Sequence, residues 1–196
     1  MSDRFPKNPP RNPNPPYKRI ATEEAWIPKQ ILDLYIKEIG EKQIHDPGFH
    51  QLWGYFAGDS EMATKHRRRI QDLGEIRIGD MDESGIDMQV LALGSPGVQI
   101  FDAATATSLA ADANDLLSEG IAKHPDRFVG LAAFSPLDPD NAAKELERGV
   151  TKLGLRGGIL NGHVLGTYLD DEKYWPVFEA AEALDVPIYL HPNAPS

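Results

Sequence analysis

From Met88 onward the sequence repeats one unit: a short apolar run, a polar turn, then a helical stretch. Met88–Leu93 is apolar and stops at Gly94-Ser95-Pro96-Gly97. Ala103–Lys123, rich in Ala and Leu, reads as a long helix closed by His124-Pro125-Asp126. Residues 128–134 form a second apolar run, ended by Ser135-Pro136, and residues 140–153 a helix stopped at Gly154. Residues 155–160 lead to Asn161-Gly162, residues 174–184 form a helix with Pro176 near its start, and residues 186–190 reach His191-Pro192. Strands buried on both faces read as unbroken apolar runs, and parallel neighbours need helical crossovers, so this alternation predicts βαβ units in a parallel sheet.

Upstream, residues 19–23 are a short strand ending in acid at Glu23 and Glu24. Residues 27–39 carry apolar side chains at helical spacing, with Pro28 tolerable in the first turn, and residues 70–84 predict a helix with Gly85 as its C-terminal cap. Residues 44–62 mix Gly and Pro with Phe49, Trp53, Tyr55 and Phe56, and predict a long surface loop serving as a lid or a subunit contact. Residues 1–17 are Pro- and Asn-rich with almost no core side chains, a composition that predicts a flexible arm ahead of one domain over 18–196. The strand count is about five, where a closed barrel needs about eight and a doubly wound sheet can be complete with five. No GxGxxG follows the first strand and no phosphate loop occurs, which removes support for nucleotide binding.

Charge and cysteine content narrow the chemistry. The net charge of −10 argues against nucleic acid or an anionic membrane as partner. No apolar run approaches the roughly twenty residues of a membrane span, and no secretory segment opens the chain, so a cytoplasmic location is expected. With no cysteine, any metal must be held by His, Asp or Glu, which favours Zn, Mn, Mg or Fe.

In a parallel α/β architecture catalytic side chains gather at the C-terminal ends of strands. Here those ends carry Glu23 and Glu24, Ser95, Ser135, Asn161 with His163, and His191. A carboxylate and an imidazole from the first and fifth strands, Glu23 and His191, can meet across a barrel mouth and hold Zn or Mn. Each also has a plainer reading, as a solvated turn or a hydrogen-bonded mouth residue. Ser95 and Ser135 lack a GxSxG setting for a nucleophile. One arginine of Lys65-His66-Arg67-Arg68-Arg69, or Arg77, could clamp a carboxylate. The competing role for Arg77 is an ion pair with Asp80 or Asp82 on its own helix. His45, His50 and His66 read as surface residues and His124 as a helix-end cap.

Several segments together resemble the amidohydrolase-related decarboxylases, in the order that family uses. They are Ala21-Thr22-Glu23-Glu24-Ala25-Trp26, Gly79-Asp80-Met81-Asp82-Glu83-Ser84-Gly85-Ile86-Asp87, Ala92-Leu93-Gly94-Ser95-Pro96-Gly97, His124-Pro125-Asp126-Arg127-Phe128, Gly157-Gly158-Ile159-Leu160-Asn161-Gly162 and Val186-Pro187-Ile188-Tyr189-Leu190-His191-Pro192. The likeness is greatest to the γ-resorcylate, 2,3-dihydroxybenzoate and 5-carboxyvanillate decarboxylases. It implies a (β/α)8 TIM-type barrel, incomplete here at about its first five strands, with one divalent ion, Zn or Mn, held by Glu23 and His191. Many relatives carry His where this chain has Ala25. The remaining metal ligand and the catalytic acid–base groups are expected beyond Ser196.

The implied reaction is non-oxidative loss of CO2 from a hydroxybenzoate-type aromatic acid, with Arg77, Ser95 and Asn161 as substrate-binding residues. The Trp53-Gly54-Tyr55-Phe56 segment would stack the ring or form a subunit contact. The full-length protein is expected to be a homo-oligomer. Two other readings stay open: a metal-dependent hydrolase of the same superfamily acting on a lactone or amide, and a non-catalytic fragment or interaction protein.

Overall fold

Every pairing between named strands is parallel, and neighbours follow chain order. The computed structural model describes residues 16–41, 44 and 47–192. Its elements are β1 (Ile20–Trp26), four helices α1 (Lys29–Glu41), α2 (Pro47–Ala57), α3 (Glu61–Gln71) and α4 (Glu75–Ser84), then β2 (Met88–Leu93) and α5 (Ala103–Lys123). There follow β3 (Phe128–Gly130), β4 (Ala132–Ala133), α6 (Pro139–Thr151), β5 (Gly158–Asn161), a 3₁₀ turn at Glu172–Tyr174, α7 (Trp175–Leu184) and β6 (Ile188–His191). The expected arm over residues 1–17 lies outside the described residues except for Pro16 and Tyr17, and so does His45.

The third strand position is one strand that changes partner. Gln89, Val90 and Leu91 of β2 pair with Phe128, Val129 and Gly130, whereas Ala132 and Ala133 pair with Gly158 and Ile159 of β5. At the switch, Leu131 N–H still donates to Leu91 O (2.9 Å) and Ala132 N–H already donates to Gly157 O (2.8 Å). The order β1-β2-(β3/β4)-β5-β6 therefore runs without a reversal. A doubly wound sheet needs a switch point in strand order, so this is an arc of a (β/α)8 barrel.

Alternation along the strands sorts side chains into two layers. Leu91, Leu93, Phe128 and Leu160 face the helices and join the main core with Leu109, Leu117 and Leu146. A small separate cluster of Ala92, Leu131 and Ile159, with Val90 and Tyr189 against it, lies on the other face. Asn114 of α5 closes the gap where β2 and β4 part. Its Oδ1 accepts from Ala133 N (2.8 Å) and its Nδ2 donates to Ala133 O (2.8 Å), replacing a strand with one side-chain amide.

Local chemistry accounts for the helix ends. Ser60 Oγ accepts from Ala63 N at the start of α3, Asp102 caps α5 through Thr105 N, and Asp138 caps α6 through Asn141 N. Gly85 ends α4 in the left-handed region (φ 68°), as expected from the sequence. His124 is the C-terminal cap residue of α5, also as expected.

Three expectations need correction. Residues 44–62 are not a long surface loop: α2 occupies most of them. Phe49, Trp53 and Phe56 recur at helical spacing, and Phe49 and Trp53 are buried in the core. The helix expected over 70–84 is two elements. Asp72 breaks it by accepting from Gly74 N (2.9 Å) and Arg77 N (2.8 Å), which starts α4 afresh. The first strand does not stop at the glutamates but continues to Trp26.

Candidate functional site

The first strand carries a bulge. Ala21 pairs with Gln89 and Glu24 with Leu91, so Thr22 and Glu23 together oppose Val90 alone. A bulge changes the phase of alternation and re-aims the side chains around it. Without it, Glu23 would share the helix-facing side of Ala21. With it, Glu23 reaches Tyr189 and His191 across a small pocket of about 70 Å3 that Thr22, Glu24 and Ala25 also border, and Glu24 is in addition close enough to Arg77 to act on its charge.

The opposite wall of that pocket is β6. Tyr189 and His191 are two residues apart and project from one face. His191 Nε2 lies 3.5 Å from Glu23 Oε1, and the Tyr189 hydroxyl donates to Glu23 Oε2. That hydrogen bond to the carboxylate pushes the Tyr189 phenol above its ordinary pKa. Ser95 lies on the rim beside Gly94, and Ala92 and Ile159 form the floor. The turn bearing Ser95 is fixed from behind: Trp53 Nε1 donates to Ser95 O (3.2 Å) and the buried Tyr35 hydroxyl to Gly97 O. Burial pushes the Tyr35 phenol up, so it stays a neutral donor.

The Glu23–His191 contact is too long for an ordinary hydrogen bond. His191 Nδ1 lies 2.7 Å from Pro192 O. A carbonyl oxygen can only accept, so Nδ1 carries the ring proton and, in the neutral ring, Nε2 presents a lone pair. A carboxylate oxygen and an imidazole lone pair then face one another across 3.5 Å. Two metal–ligand bonds of about 2.1 Å diverging near the tetrahedral angle separate their donor atoms by about 3.4 Å. The pair therefore fits a divalent ion in both donor chemistry and spacing. Among the described residues no group of three or more such ligands gathers, so these two stand as a pair.

Arg77 and Asn161 are not brought to this pocket. Arg77 is buried, with Nε on Asp72 O (2.7 Å), Nη1 on Gln89 Oε1 (3.1 Å) and Nη2 on Ala25 O (3.0 Å). It clamps the α3–α4 turn to the helix-facing side of β1, and burial lowers its pKa against the pull of Glu24, Asp72 and Asp80. Its expected ion pair does not form either, because Asp80 pairs with Arg69 (2.8 Å) and Asp82 with Arg127 (2.7 Å). Asn161 sits beneath the turn after β2. Its backbone N–H donates to Gln99 Oε1 (2.8 Å), Gln99 Nε2 donates to Asn161 O (3.0 Å), and its own Oδ1 is buried without a partner. Trp53, expected to stack on a substrate ring, is core. His66 bonds the Tyr55 hydroxyl (2.8 Å) and His50 the Ile44 carbonyl (2.5 Å). Sequence reasoning missed Tyr189; its signal was the two-residue spacing to His191.

The family model described as Amidohydrolase matches residues 38–195, which includes His191. The chain belongs to the amidohydrolase family. Among curated relatives of this amidohydrolase-family chain, the γ-resorcylate decarboxylase of Polaromonas sp. is 45% identical over 136 residues, 66% of this chain and 42% of that protein. The γ-resorcylate decarboxylase of a Rhizobium species is 40% identical over 149 residues, covering 72% and 45%. The solved 5-carboxyvanillate decarboxylase of Novosphingobium aromaticivorans, with bound manganese and 3-methoxy-4-hydroxy-5-nitrobenzoic acid, superposes at TM-score 0.87 with 45% identity, over 92% of this chain and 52% of that one. The 2,6-dihydroxybenzoate decarboxylase from Rhizobium superposes at TM-score 0.75 with 32% identity over 91% and 51%. This chain thus spans less than half the length of these curated relatives and about half that of the solved ones.

Proposed function

We propose that this chain carries part of the active site of a metal-dependent, non-oxidative decarboxylase of hydroxybenzoate-type aromatic acids. The observation that carries the reading is the convergence of Glu23 Oε1 and His191 Nε2 at 3.5 Å on the interior face of the sheet. Its support is a likeness to enzymes named as decarboxylases of such acids, two solved examples of which hold manganese. A divalent ion, Zn or Mn, bound by Glu23 and His191 would supply a Lewis acid and template for the phenolic oxygen and carboxylate of the substrate.

The chain's own residues prepare that place. Pro192 O holds the proton on His191 Nδ1 and so keeps Nε2 available. The side chains of Ala25 and Ala92 and the bare Gly94 keep the wall beside Glu23 and His191 low, and Ile159 adds an apolar surface there. Ser95 on the rim offers a hydroxyl to the substrate's polar edge.

The test is CO2 release from γ-resorcylate, 2,3-dihydroxybenzoate and 5-carboxyvanillate by protein carrying this chain, with Mn2+ or Zn2+ present and after chelation. Release that needs the ion, and that Glu23→Gln abolishes, is the expected result. Undiminished release in chelator overturns the metal reading. Turnover of lactones or amides with no CO2 from any of these acids overturns the lyase reading.

A further inference from the structure

We propose that Tyr189 is a positioning residue that holds Glu23 so that the carboxylate meets the ion through one oxygen, Oε1. This rests on the metal reading above and deepens it. The Glu23 side chain is 59% exposed, long and rotatable, and nothing in its own strand fixes its outer oxygens. Tyr189 supplies that restraint from the facing strand. Its hydroxyl donates to Oε2, and the remaining oxygen, Oε1, is the one turned toward His191 Nε2. One carboxylate oxygen is occupied by a neutral donor and the other presented to the shared site.

The tyrosine is itself well placed to act as a fixed post. Its ring packs against the interior cluster of Ala92, Leu131 and Ile159, so the hydroxyl stands on a buried base while its tip reaches the pocket. It lies on the same face of the same strand as His191, which ties the carboxylate's orientation to the imidazole's position through β6. Partners of this kind govern ligand geometry, and losing one commonly costs about 10–100-fold in metal affinity.

The experiment titrates Mn2+ into protein carrying this chain together with the rest of the barrel and follows the free-ion EPR signal. Saturable binding by the parent, lost in Glu23→Gln and in His191→Ala, upholds the metal reading by itself. Tyr189→Phe keeps the ring and removes only the hydroxyl; it should bind about 10-fold more weakly with an unchanged thermal melt. Leu131→Val disturbs the same apolar cluster from outside the pocket, without touching the hydroxyl, and should leave affinity unchanged. Equal affinity of Tyr189→Phe and parent overturns the positioning role while leaving the metal reading standing. An equal loss in Leu131→Val overturns it too, because cluster packing would then be the cause. No saturable binding by the parent overturns both.

Discussion

Replacing Asn114 with leucine should be among the more damaging single changes in this protein, although Asn114 contacts neither Glu23 nor His191. Leucine has the same branching and as many side-chain heavy atoms, and it belongs in a helix, so neither a cavity nor helix propensity is at stake. What is lost is the amide that stands in for a strand. Ala133 N–H and Ala133 O, both served at 2.8 Å, would be left buried with no partner. Asn114 is 1% exposed, which leaves little room for replacement water. Each orphaned backbone group costs about 1–3 kcal/mol, so the pair should cost about 2–6 kcal/mol. The third bond, from Nδ2 to Glu145 Oε1 (2.7 Å), adds little because Arg148 already serves that carboxylate. Urea unfolding of parent and variant measures the difference, and at the middle of the range the melting temperature should fall by about 8–16 °C. Asn114→Asp should also destabilise, since its second oxygen would face both Ala133 O and Glu145 Oε1. A loss below about 1 kcal/mol in Asn114→Leu would refute the idea that this amide substitutes for a strand.

Arg77→Lys should lower stability by about 2–4 kcal/mol in denaturant unfolding, because an ammonium cannot reach Asp72 O, Gln89 and Ala25 O at once. Mn2+ affinity should stay unchanged, and a selective loss of binding would restore a site role to Arg77. Asp87 gives a pH prediction: the Arg19 backbone N–H, bonded at 2.6 Å, is the largest influence holding its carboxyl below the ordinary range. With the folded pKa lower than the unfolded one, its contribution is complete above about pH 4 and drains away as pH falls through the folded value. Urea midpoints followed into acid should therefore fall less steeply in Asp87→Asn than in the parent; identical slopes would count against this.

The apolar repeat made the parallel architecture legible, and β2 and α5 begin and end where the sequence places them, because each is an unbroken run bounded by strong turn or cap chemistry. Residues 44–62 misled because Gly54 and the aromatics resemble loop composition, while the spacing of Phe49, Trp53 and Phe56 is helical. The α3–α4 break depends on the Asp72 side chain competing for backbone N–H groups, a choice that periodicity does not record. At the site, Glu23 and His191 were visible as polar residues near strand ends. What aims Glu23 inward was not, since Thr22 and Glu23 carry no mark of the bulge, which exists only relative to β2. The same holds for Arg77: its number of buried carbonyl partners is a property of three segments meeting.

The hydrogen bond between Tyr189 and Glu23 spans 166 positions of sequence. Closing a loop of that length costs about 4–5 kcal/mol in chain entropy, and the two strands it joins lie at opposite margins of the sheet. Loop-closure entropy predicts that such a contact forms after the intervening βα units have stacked. A molecule whose β6 has not docked has a carboxylate and an imidazole but no site. Competence at the pocket would thereby report on assembly: any ion bound between Glu23 and His191 would favour chains in which β1 and β6 have both docked over those in which either margin has peeled away.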